Sequence, residues 1–185
     1  MLTRLSVPVI SEKYSGCLDL VLKITKSLEV VDSSLAQFVR SEETVEALFL
    51  AFASTENWNS ERNSHYAVGL SEASVCWLRS RSLGVVGDSI GLGAAVLLNY
   101  RHLTSLHKIK RIFVTGALSM SKGEVVVREV AEMDKKLAAI ANQPKTDEEA
   151  IIVPHKTIPS AIQQGQRQLW LAGPRLLDIE RLNLK

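Results

Sequence analysis

The sequence predicts an α+β fold, an α/β two-layer sandwich formed as one domain over residues 1–185. Three observations predict it. Residues 17–31, CLDLVLKITKSLEVV, alternate and are rich in Val, Ile and Leu, as half-buried strands are. Residues 130–142, VAEMDKKLAAIAN, instead place Val130, Met133, Leu137, Ile140 and Ala141 on one face at helical spacing. The second half then runs strand, helix, strand, strand, helix, strand, which suits a sheet carrying helices rather than a bundle.

In chain order, residues 17–31 supply one or two strands. SEETVEALFLAFAST (41–55) opens with a serine and two acidic residues, a helix start, and continues with helix-spaced apolar positions. ENWNSERNS (56–64) is a polar loop. HYAVGL (65–70) and SVCWLRSRSLGVV (74–86) read as strands that lead to a glycine-flanked serine. Residues 90–103 have helical composition, and apolarity all round marks a buried helix. After the basic connector HKIKR, IFVTG (112–116) is a short strand, and Lys122-Gly123 turns the chain into another. The helix over 130–142 follows, then the loop QPKTDEEA and the strand IIVP, ended by Pro154. A last helix is expected around SAIQQGQRQLWLA (160–172).

Composition narrows the function classes. The chain is 46% hydrophobic and 23% charged, with a net charge of +2 and both signs interleaved. Nothing there argues for a nucleic-acid partner or a membrane surface. No apolar stretch approaches the roughly 20 residues that span a bilayer, and the N-terminus lacks a signal-peptide core. Cys17 and Cys76 form no CxxC pair and sit in apolar segments, so core packing is their expected role. A reducing, cytoplasmic setting is the expectation. No paired metal-ligand motif and no GxxxxGK[ST] phosphate loop occurs, so no metal and no cofactor is expected.

The chemistry centres on GDSIG, residues 87–91. A serine at a helix N-terminus lies beside unpaired backbone N–H groups that can stabilise an oxyanion. Gly87 and Gly91 complete a G-x-S-x-G pattern around Ser89, although a plain N-cap serine explains the same residues locally. A nucleophilic serine needs a base. The four histidines, at 65, 102, 107 and 155, stand in no triad context. A lysine desolvated enough to be neutral near pH 7 can serve instead. Lys135 and Lys136 lie in the helix over 130–142. Lys136 borders its apolar stripe and Lys135 points nearly opposite, so periodicity does not single out Lys135.

GDSIGLGAAVLLNY, then IFVTGALSMSKGEVVVREVAEMDKKLAA, then IIVP resemble the proteolytic domain of the Lon protease family. The ordered elements are a G-x-S-x-G turn, an apolar helix, a Thr-Gly with a GEV hairpin, a K-x-x-A-A helix and a strand ending in proline. The resemblance covers roughly residues 84–154; residues 1–80 supply the N-terminal strands and helix of the same domain. It implies a serine endopeptidase in which Ser89 is the nucleophile and Lys135, 46 positions later, the base. It further implies that Thr115 orients the lysine amine, while Asp88 stands where proline is common. A polypeptide substrate, association into homo-oligomeric rings and a separate ATPase partner belong to the same expectation. Ala117 after Thr-Gly and REVAEMD before the lysines depart from the family pattern. A catalytically silent domain used for assembly is therefore the alternative. SIGLGAAVLL also resembles the phosphate loop of GHMP-type small-molecule kinases, but Gly93-Ala94-Ala95 lacks that loop's second serine.

Overall fold

The computed structural model describes residues 4–25, 29–55, 65–100, 103–146, 148–155, 169–172 and 179–181. In chain order, β1 (Arg4–Ile10) and β2 (Ser15–Thr25) precede α1 (Ser33–Ala36) and α2 (Glu42–Ala53). β3 (His65–Leu70) leads into α3 (Glu72–Ser80) and α4 (Ile90–Asn99). Then come β4 (Arg111–Val114), a hairpin of β5 (Ala117–Ser121) and β6 (Glu124–Arg128), and α5 (Met133–Ala141). β7 (Glu149–Pro154), β8 (Leu169–Ala172) and β9 (Ile179–Arg181) complete the described elements.

Seven strands form one mixed sheet in the order β3-β2-β1-β4-β7-β8-β9, while β5 and β6 pair separately. The centre of the sheet is parallel from β1 to β8, and β2, β3 and β9 run antiparallel to their neighbours. Strand alternation sorts its side chains between two clusters. Ile112 and Val114 of β4, with Ala150 and Ile152 of β7, join Leu92 and Val96 of α4 in the main core. Phe113, Ile151 and Val153 point the other way and pack with Leu137 and Ile140 of α5. Burial on both faces explains why β4 and β7 read as continuous apolar runs. Each fully buried leucine, such as Leu92 or Leu137, contributes roughly 1.5–3 kcal/mol relative to exposure. Sheet and packed helices make the α+β class that the sequence predicts.

α4 is the helix that the site depends on. It is buried on nearly all sides, and only a side chain as small as hydrogen fits where it crosses its neighbours. A Cβ on Gly93 would stand 2.3 Å from Val7 Cγ1, and one on Gly91 would stand 3.1 Å from the Ala47 carbonyl oxygen. Among the described residues, no helix is long and apolar enough to cross a membrane.

Several local expectations are corrected. Residues 74–86 are not a strand. Ser71 caps α3 by accepting the Ser74 amide, and Ser74 and Leu78 bury one face at i, i+4 spacing. Cys76 consequently faces solvent, whereas Cys17 is half-buried against the smaller cluster. Residues 83–86 contribute only a single bridge, Val85 to Val39. The expected C-terminal helix ends differently: 169–172 is strand β8, where Trp170 pairs with Ile152, and 160–168 lies outside the described residues. β5 is a strand that the sequence reading missed. α5 starts at Met133 rather than Val130, because Glu132 takes a left-handed conformation (φ 55°) that interrupts the helix there.

Candidate active site

The GDSIG stretch forms the turn that enters α4. Gly87 supplies its left-handed residue (φ 80°), a conformation that costs glycine little. The N-terminus of α2 holds this turn from the side. Ser41 caps α2, and its Oγ accepts hydrogen bonds from the Thr44 amide at 3.3 Å and the Gly87 amide at 3.1 Å. Thr44 is fully buried and donates its hydroxyl proton to the Gly87 carbonyl at 2.7 Å. One proton per hydroxyl then fixes the remaining contact: Ser41 donates to Thr44 Oγ1 at 2.9 Å. Gly87 is thus gripped at both its N–H and its C=O.

Ser89 occupies the N-cap position of α4, half-buried, with helical backbone angles and no side-chain capping bond. The simple cap reading is therefore not realised, since a capping serine needs extended backbone to reach its own helix amides. Its hydroxyl is left available. The Gly91 amide is used on the Asp88 carbonyl at 3.0 Å, which leaves the Ser89 and Ile90 amides at this end of the helix.

A cavity of about 750 Å³ opens beside Ser89, bounded by α2, the hairpin and the start of α5. Lys136 lines it; Lys135 does not. Lys135 is 67% exposed and ion-paired to Glu132 Oε1. Helix phase is the cause: Lys136 flanks the buried Met133–Leu137–Ile140 stripe, and Lys135 lies on the far side. Burial lowers the Lys136 amine below the usual lysine range, against the opposing pull of Asp88 and Glu132. The lysine that shares a cavity with Ser89 is thus the second of the pair, not Lys135.

The other expected residues are divided. Gly87 and Asp88 line the cavity with Ser89, and Asp88 is ion-paired to Arg128 of β6. Gly91 sits behind them as the packing position against α2. Thr115 is buried, and its hydroxyl donates to Met133 Sδ at 3.7 Å at the root of α5, outside the cavity wall. His107 bonds the Tyr100 carbonyl and His155 is exposed, and neither lines the cavity. His102 and the side chain of His65 lie outside the described residues. Burial pushes the Cys17 thiol up to about 12, so it is no nucleophile. Among the described residues, no group of three His, Cys, Asp or Glu side chains is placed to hold a metal ion.

Sequence reasoning missed Arg128, Glu43, Glu46 and the Ser41–Thr44 clamp. The S-x-x-T spacing of a capped helix signals the clamp, but nothing in the sequence places it against Gly87. Glu43 is legible only as part of the acidic start of α2, and nothing in the sequence points Arg128 or Glu46 at this cavity. Comparison with protein-family models found no match, and none of the curated proteins matched the chain.

Proposed function

We propose that this chain is a serine–lysine hydrolase acting on polypeptide, with Ser89 as nucleophile and Lys136 as base. One observation carries the reading: an uncapped helix-terminal serine and a desolvated lysine amine line the same cavity. The neutral amine of Lys136 accepts the Ser89 proton as Oγ attacks the substrate carbonyl. Amides at the start of α4 stabilise the developing oxyanion, a contribution commonly of about 3 kcal/mol. Lys136 then returns the proton to the departing amine, and the serine ester remains. Water, deprotonated by the same lysine, hydrolyses that ester and restores the hydroxyl. The mechanism needs no histidine.

A fluorophosphonate probe and a casein digestion test this reading. Ser89→Ala and Lys136→Met should both lose labelling and cleavage while keeping the fold, and Lys135→Met should leave Ser89 reactive. Loss with Lys135→Met but not Lys136→Met would return the base to Lys135. The silent, assembly-type alternative rests on Thr115, whose hydroxyl turns to Met133 Sδ instead of serving the cavity. A folded wild-type chain that never labels at Ser89 decides for it.

A further inference from the structure

Charged side chains from four elements line or border the cavity that Lys136 enters. Asp88 comes from the turn before α4, Arg128 from β6, and Glu43 and Glu46 from α2; Glu132 and Lys135 begin the lysine's own helix. The two carboxylates that attract the Lys136 amine are Asp88 and Glu132. Each of them is already engaged by a different cation: Asp88 by Arg128 Nη2, and Glu132 by Lys135 Nζ. Lys136 itself forms no ion pair among the described residues. Arg128 is further held by a 3.5 Å bond from its Nη1 to the Glu129 carbonyl, so it approaches Asp88 from the hairpin side.

We infer that Arg128 is a positioning residue whose pairing with Asp88 keeps that carboxylate from capturing Lys136, so that the lysine stays free to act as a base. Lys135 pairs with Glu132 at the solvent edge of the cavity, where water screens both charges, so this second pair affects Lys136 far less. The inference deepens the serine–lysine reading and rests on it for the word "base". An aspartate directly before the nucleophile would otherwise hold the lysine protonated. With Arg128 engaged, that aspartate instead ties the hairpin to the nucleophile turn.

Two measurements test it on the full chain. The first is an NMR titration of 13C-dimethylated lysines in a Ser89→Ala background, with the Lys136 signal assigned by its loss in Lys136→Met. The second is the pH profile of Ser89 acylation by the fluorophosphonate. Arg128→Gln should move both midpoints up by about one pH unit, a roughly tenfold loss of acylation at neutral pH that alkaline pH restores. Asp88→Asn should move them down, and the double variant should follow Asp88→Asn. Arg128→Lys should restore the wild-type midpoint. A lower plateau with an unmoved midpoint in Arg128→Gln overturns the inference, as does a double variant that keeps the Arg128→Gln midpoint. Should Arg128→Gln not fold, Arg128→Met is read in its place against the same two midpoints. If Lys136 titrates as expected but Ser89 never acylates, the hydrolase reading fails and the ion-pair inference stands.

Discussion

Replacing Thr44 by Val tests whether α2 holds the Gly87–Ser89 turn. The side chains have nearly the same shape, but the exchange removes one donor and one acceptor from a buried position. The Gly87 carbonyl loses its 2.7 Å bond, and the Ser41 hydroxyl loses the oxygen it donates to at 2.9 Å. Leaving buried polar groups unpaired costs about 1–3 kcal/mol each; because Gly87 and Ser41 are only partly buried, we expect about 2 kcal/mol in all. With a urea slope of about 2 kcal/mol/M, the unfolding midpoint should fall by about 1 M. Thr44→Ser keeps the hydroxyl and loses one methyl, a cost of about 0.8 kcal/mol. It should therefore fall between wild type and Thr44→Val in stability. Fluorophosphonate labelling separates the turn from the fold: at urea-free conditions, where both variants remain folded, only Thr44→Val should acylate slowly. A Thr44→Val midpoint within 0.2 M of wild type, or a Thr44→Ser variant as damaged as Thr44→Val, would refute the clamp.

Two further outcomes follow from packing and charge. Gly93→Ala gains about 1 kcal/mol of helix propensity but drives a Cβ to 2.3 Å from Val7 Cγ1, a stiff branched contact. Overpacking of about 1–3 kcal/mol should win, lowering Tm by a few degrees in thermal unfolding, and an unchanged or higher Tm rejects this crossing geometry. Asp32 caps α1; burial acts to raise its carboxyl, but bonds from Lys23 Nζ and from the hydroxyl and amide of Ser34 hold it at about 2. A carboxyl depressed on folding stabilises above its unfolded pKa, near 3.9, and loses that contribution as pH falls toward the folded value. Asp32→Asn keeps a capping oxygen and removes the charge. It should therefore cost about 1 kcal/mol at pH 7, after screening of a partly exposed pair, with the deficit closing between about pH 4 and pH 2. A deficit that does not change over that range assigns the cost to packing.

The sheet was legible wherever a strand's environment left a pattern. β3, β4 and β7 are short apolar runs ended by Gly, Pro or polar residues, and burial on both faces is the state that produces such runs. α3 was misread because Val75, Trp77 and Leu78 suit a strand by type, while its helix rests on the Ser71 cap and on one narrow buried face. β8 was misread for a different reason: Trp170 and Ala172 belong to the core only through parallel pairing with β7, a contact between segments about eighteen residues apart. Local propensity cannot register such a contact.

The candidate site divides along the same line. Ser89 was readable because the turn demands a left-handed residue at Gly87 and the crossing with α2 demands a small one at Gly91, and both flank it in sequence. The lysine was readable only to within one residue. Adjacent positions on a helix point about 100° apart, so a one-residue change in a connector moves a role from Lys135 to Lys136 while leaving every residue type in place. The family-like spacing measured along the chain selects Lys135, whereas the buried Met133–Leu137–Ile140 stripe measured around the helix selects Lys136. In the proposed mechanism the second measure decides, because a base must be carried to its nucleophile by packing. Position in the chain enters only through the helix phase that it sets. The left-handed Glu132 is what sets that phase here: it starts α5 late, sends Lys135 back to pair with its own carboxylate, and leaves Lys136 turned toward Ser89's cavity.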